Sequence, residues 1–169
     1  RTLVDGLGTG EATMRVYMAN RPAIAWLQSD TGVLPMTPGD IASIGKECGN
    51  GWRKVFNVYA KLLFAASREC IPFTGSYSSW QAYRDNELLQ ANMSTALLFS
   101  EPTWSYPNAV TIIMGRTYAK SLSLPKSLIW LNDEFAVDKS TRTIVCPYFD
   151  YRQLSNIKIV YLVALIEEL

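Results

Sequence analysis

The chain has 169 residues, 49% hydrophobic and 18% charged, with a formal net charge of +1. That length supports one domain with its own core, no apolar run approaches the roughly 20 residues of a membrane-spanning helix, and the near-zero charge gives no whole-molecule attraction to phosphate backbones or anionic lipid. There is no histidine, which excludes Ser-His-Asp and Cys-His catalysis and His-ligated zinc.

Cys48, Cys70 and Cys146 form an odd set without metal-ligand spacing, each among apolar neighbours. They read as reduced thiols of a cytoplasmic protein. Neither a metal nor a cofactor is expected, and no membrane partner. Residues 1–169 are read as a single α/β domain.

Residues 1–13 carry Gly6, Gly8 and Gly10 with little periodicity and are expected as a loosely structured lead-in. Their G-x-G-x-G run follows no strand and opens no helix, so the dinucleotide fingerprint fails its context test. Residues 14–19 have the β-branched and aromatic content of a first strand, stopped by Asn20-Arg21-Pro22 because a residue before proline is pushed to extended geometry. A short helix is expected over 23–27, and another after Pro38 with Asp40 in its first turn. Gly49-Asn50-Gly51 marks a turn. Trp52, Val55, Phe56, Tyr59, Leu62, Leu63 and Ala66 then recur at helical spacing, with Arg53, Lys54, Lys61 and Arg68 on the other face.

Residues 72–79 form a Pro, Gly and Ser loop holding Phe73 and Tyr77, and Ser78 or Ser79 is placed to cap a helix over 80–90. Residues 95–100 and 110–114 are short continuous apolar runs, the pattern of strands buried on both faces. Gly115 follows the second run, and 116–122 reads as a short helix whose start could meet an anion, with Arg116 and Lys120 nearby. Residues 128–131 and 134–137 are minor extended pieces, and 143–146 is the fourth main strand. It leads into Pro147-Tyr148-Phe149-Asp150-Tyr151-Arg152. In the last helix Ile157, Val160, Tyr161, Ala164 and Leu165 recur at helical spacing, with Asn156 as its cap, and this stripe is expected to face the sheet.

Strands separated by helical crossings predict a three-layer α/β/α domain with a mainly parallel sheet of about four strands. Its ligand groups belong at the carboxyl ends of those strands. These ends supply Asn20, Arg21, Ser100, Glu101, Gly115, Arg116, Tyr148, Asp150 and Arg152.

The succession Ile112-Ile113-Met114-Gly115-Arg116-Thr117-Tyr118-Ala119, then Val145-Cys146-Pro147-Tyr148-Phe149-Asp150, resembles the uracil-DNA glycosylase-like superfamily, with its strand-Gly-x-x-x-Ala segment and its last strand entering a His-Pro-Ser loop. Residues 96–100 are similar to the family's strand that ends in a binding residue, and Trp80 to a tryptophan upstream of it. The likeness covers about 73–169, with a weaker echo in Met18-Ala19-Asn20-Arg21-Pro22. It implies a water-activating group near Asn20 or Arg21, a base-recognising residue at Ser100 and the loop histidine at Tyr148. The chemical groups differ at most of these positions, and only Asn20 is of the family's type. The cysteines match no iron-sulfur branch.

Three readings follow. The first is a glycosylase-like domain without standard excision chemistry, binding a nucleotide or nucleic acid through Asn20, Arg21, Ser100, Gly115, Arg116, Tyr148 and Arg152, supported by the basic residues Arg53, Lys54, Arg116 and Arg152. The second is a histidine-free hydrolase with Asp150 or Glu101 as base and Tyr148 or Arg152 stabilising charge. The third is a protein-interaction module, suggested by 5 tryptophans and 9 tyrosines. Beside all three stands a simple salt-bridged loop in which Asp150 pairs with Arg152.

Overall fold

The four segments richest in β-branched and apolar residues pair with one another. They are β3 (Met14–Tyr17), β6 (Thr95–Leu98), β7 (Val110–Met114) and β10 (Thr143–Cys146). They lie in the order β6-β3-β7-β10, every neighbouring pair is parallel, and all their residues are buried. Continuous burial is what a parallel strand covered on both faces requires. The structure, a computed structural model, describes residues 2–29, 32–69, 77–91 and 94–169. Cys70 and Phe73 lie outside the described residues, as does the side chain of Arg68.

Among the described residues the sheet has eight strands rather than about four. On one side β2 (Gly6–Gly8) runs antiparallel to β6, and β5 (Val33–Leu34) runs parallel to β2. On the other side β9 (Ala136–Asp138) and β8 (Ile129–Trp130) add antiparallel strands beyond β10. β1 (Thr2–Leu3) and β4 (Gln28–Ser29) form a separate two-stranded ribbon.

Residues 1–13, expected as a loose lead-in, therefore contain a sheet strand, and the reason is local. A Cβ on Gly6 would lie 2.5 Å from Leu98 Cδ2 and 3.0 Å from the Leu97 carbonyl, and one on Gly8 would collide with the Thr95 carbonyl. These glycines let β2 lie close against β6. The helix expected over 23–27 is absent, and that segment is turn and irregular chain.

The helices α1 (Asp40–Cys48), α2 (Asn50–Glu69), α3 (Trp80–Asn86) and α5 (Asn156–Glu167) share the main core with one face of the sheet. Ile44, Phe56, Leu63, Tyr83 and Leu162 pack there with Val16, Leu97, Ile112 and Ile144. Tyr59 is fully buried and its hydroxyl donates to the Ala96 carbonyl at 2.9 Å, which ties α2 to the sheet centre. The opposite face carries less. Ile113 and Val145 pack with Ala119 of α4 (Arg116–Lys120), with Trp130 of β8, and with Trp104, Leu122, Leu124 and Leu128 from irregular chain. The expected third layer is thus one short helix and loops, because 101–109 and 121–128 are too rich in Pro, Ser and polar residues to form longer helices.

The last helix turns most of the expected stripe outward. Its buried residues are Ile159, Leu162, Val163, Leu165 and Ile166, so of the expected stripe Leu165 faces the core, whereas Ile157, Val160 and Tyr161 are 83%, 68% and 40% exposed. Ser155, not Asn156, precedes it as the N-cap residue. Both sides of this helix are apolar, so periodicity alone could not choose between them.

The turn between β9 and β10 is built on Asp138. Burial pushes its carboxyl up, but hydroxyls of Ser127, Thr141 and Ser140 and the Ser140 N–H donate to it and leave it below the ordinary range. That network fixes the β8–β9–β10 unit, which forms one wall of the site.

Candidate ligand cavity

Numbered along the chain, the parallel centre has the order 2-1-3-4, so the strand order reverses between β3 and β7. Chain leaving the carboxyl ends of those two strands diverges and opens a crevice, the usual ligand position in an open α/β sheet. A cavity of about 660 Å³ lies there. Ala19 and Asn20 follow β3, Gly115, Arg116, Thr117, Tyr118 and Ser121 follow β7, Pro147, Tyr148 and Gln153 follow β10, and Asp133 and Glu134 come from the β8–β9 turn.

Gly115 joins β7 to α4 at φ 98°, and its N–H donates to the Cys146 carbonyl at 2.8 Å. Nothing lies within 4 Å of where a Cβ would stand. The glycine is needed for its left-handed backbone and not for space. The turn it makes aims Arg116 and Tyr118 at the crevice.

Tyr118 is half-buried, and its hydroxyl is pushed up by burial first and then by the charge of Glu101. Tyr148 is also half-buried, pushed up by burial and then by Asp150. Both phenols are neutral O–H donors at pH 7. Arg116 reaches Asp133 at 3.6 Å and lies 5.9 Å from the Trp130 ring, and Glu134 is held by Lys158 at 2.7 Å. The carboxamides of Asn20 and Gln153 complete the polar lining, each with one acceptor oxygen and a donating NH₂.

Asn20, Gly115, Arg116 and Tyr148 thus line one cavity. Arg21, Ser100 and Arg152 do not line it, nor do Glu101 and Asp150. Arg21 turns back to donate to the Val4 carbonyl at 2.8 Å and meets Asp5 at 3.5 Å. Ser100 and Glu101 are exposed after β6. Asp150 accepts the Arg152 N–H at 2.9 Å and pairs with Lys54 and Arg152 at 3.7 Å each, so it is held below the ordinary carboxylate range by that backbone bond first and by Lys54 and Arg152 after it. This is the salt-bridged loop.

Sequence reasoning passed over Tyr118, Ser121, Asp133, Glu134 and Gln153. Tyr118 stands three residues after Gly115, so the strand-glycine-helix pattern already carried its position. The extended pieces expected over 128–131 and 134–137 are present as β8 and β9, but Asp133 and Glu134 reach the cavity through the antiparallel pairing of β9 with β10, which such short runs do not specify.

The four basic residues named as support for nucleic-acid binding fall in three places. Arg116 is at the cavity, Lys54 and Arg152 flank Asp150, and Arg53 lines a separate cavity of about 200 Å³ with Arg84 and Asp85. Among the described residues no helix is long and apolar enough to cross a membrane, and no group of three or more Cys, Asp or Glu could hold a metal ion. Cys146 is fully buried and its thiol is pushed well up by that burial, which makes it an inert core residue.

No curated protein and no solved structure matches the chain. A family model matches residues 5–167, nearly the whole chain, and on that match the protein belongs to DUF6942, a family of unknown function.

Proposed function

We propose that this domain binds a neutral heterocycle of nucleobase or nucleoside size in the strand-end cavity and does not excise it. The observation that carries the reading is the pairing of two tyrosines, Tyr118 and Tyr148, with two carboxamides, Asn20 and Gln153, in one space. Aromatic faces hold flat rings, at about 1–3 kcal/mol per stacked base. A carboxamide matches the paired donor and acceptor on a base edge. The volume of about 660 Å³ is within the ordinary range for small-molecule sites.

Charge separates this ligand from a phosphorylated one. Arg116 is offset by Asp133, and Glu134 by Lys158, so these charges are matched within the chain and a polyanion gains little there. Arg53, Lys54, Arg116 and Arg152 fall in three separate places and together provide no continuous track for a phosphate backbone. The resemblance to the glycosylase-like superfamily supports the location, since its loop positions at Asn20, Gly115 and Tyr148 fall on this lining. It does not support excision, because a neutral phenol replaces the loop histidine and supplies no positive charge to a departing base.

Titration calorimetry with uridine, thymidine and adenosine tests the reading. Saturable binding of at least one of them, weakened about tenfold by Tyr148→Ala and by Asn20→Ala, is the expected result. Absence of binding for all three, or binding untouched by both substitutions, overturns it. Uracil-containing DNA incubated with the protein is expected to stay free of abasic sites, and their appearance would remove the non-excising half of the proposal.

A further inference from the structure

The outer face of α5 presents Ile157, Val160, Tyr161 and Ala164, at the i, i+3, i+4 and i+7 spacing of one helical stripe, and all four are exposed, Tyr161 with one edge of its ring against Phe135 at 4.8 Å. The opposite stripe, Ile159, Leu162, Val163 and Ile166, is in the core. A helix apolar on both sides is normally covered on both. Ile157 at 83% and Val160 at 68% exposure are a contiguous apolar strip on a helix surface and not scattered single residues.

We infer that this face of α5 is the contact between two copies of the chain, packed as an antiparallel helix pair about a twofold axis between Tyr161 and Ala164. Charge selects this occupant. Lys158 in the amino-terminal half of α5 is taken up by Glu134 of the same chain at 2.7 Å, so the positive charge offered at that end is Lys61 of α2, which shares a cavity of about 400 Å³ with Asn156, Ile159 and Val160. The carboxyl end has Glu167 and Glu168 with no basic residue in its last turn.

Antiparallel docking places each copy's Glu167 and Glu168 against the other's helix amino terminus and Lys61. That arrangement also suits the helix dipole, which favours negative charge at the amino end. A twofold contact has to be self-complementary in this sense. Ala164 beside the axis lets the helices approach within the 8–10 Å typical of packed pairs, by order of magnitude. A lipid surface is a poorer match, because an interfacial helix carries a strongly basic polar face and α5 carries only Lys158.

Sedimentation velocity of the full chain from about 1 to about 200 µM reads the outcome as mass. The dimer predicts twice the 19.0 kDa of the chain at the upper concentrations. Val160→Glu is expected to halve that mass while far-UV circular dichroism stays unchanged. The double variant Glu167→Lys with Glu168→Lys is expected to weaken association about tenfold, and adding Lys61→Glu to restore it. A monomer at every concentration overturns the inference. So does a dimer indifferent to Val160→Glu, or a charge-reversal defect that Lys61→Glu leaves unrepaired. Lys61 stands on α2 beside Asn156, Ile159 and Val160 of α5, and Glu167 is in the last turn of α5, roughly 10–16 Å further along the axis, so repair has to act between copies.

Discussion

Gly115 and Gly8 are both at positive φ, 98° and 106°, yet they serve different ends. At Gly115 the space beyond is open, and the residue sets only the direction of the chain entering α4. At Gly8 the positive φ coincides with contact against the β6 backbone. Gly8→Ala is therefore expected to cost about 2–4 kcal/mol, from left-handed strain and displaced pairing together. Gly10→Ala, with nothing within 4 Å and no positive φ, is expected to stay within about 0.5 kcal/mol. Urea melts of the two variants separate these outcomes. Asp150 offers a second comparison at this scale. Its carboxyl is lower in the folded chain than the ordinary 3.8, so it contributes stability above that value and loses it as pH falls through the folded one. Asp150→Asn should lower stability by about 1 kcal/mol at neutral pH. The gap from the wild type should hold down to about pH 5 and close below about pH 4, as thermal melts across that range would register.

At the scale of elements, what the sequence discloses depends on whether a segment's partners can be inferred from its own pattern. β7 and β10 are continuous β-branched runs, and such runs have one comfortable place, inside a parallel sheet. α2 has one apolar and one basic face, so Trp52, Val55, Phe56 and Tyr59 could be assigned inward from spacing alone. β2 could not be read this way. Gly-Leu-Gly has low strand propensity, and it becomes a strand only because glycine permits close approach to residues about 90 positions later. For α5 the spacing is satisfied equally by two stripes, and only the shape of the core selects Ile159, Leu162 and Val163. Leu162→Ala is expected to destabilise the chain by about 2–4 kcal/mol, and Ile157→Ala to leave a single chain within about 0.5 kcal/mol. Equal losses in chemical denaturation at low protein concentration would contradict that assignment of faces.

For the whole molecule, the position of the cavity follows from topology more than from any motif. The 2-1-3-4 order of β6-β3-β7-β10 puts the reversal beside Asn20 and Gly115, and the loop after β10 brings Tyr148 to the same crevice. Those residues were legible as strand ends. Glu101, Ser100 and Asp150 were equally legible as strand ends, but position along the chain does not say which way a loop folds. Ser100 and Glu101 face solvent, and Asp150 turns to Lys54. The wall carrying Asp133 and Glu134 depends on the antiparallel strands added outside the parallel centre, which the count of about four strands omitted. The same topology that collects two tyrosines and two carboxamides also disperses the basic residues, and this favours a small neutral ring over a polynucleotide. A ¹H-¹⁵N correlation titration of the labelled chain with uridine, thymidine and adenosine tests that claim most directly. Saturable shifts are expected, with at least one nucleoside, at the amides of Asn20, Gly115 and Tyr148, lost in Tyr148→Ala. Unchanged amides at all three positions up to millimolar ligand, or saturable shifts confined to another face, would contradict it.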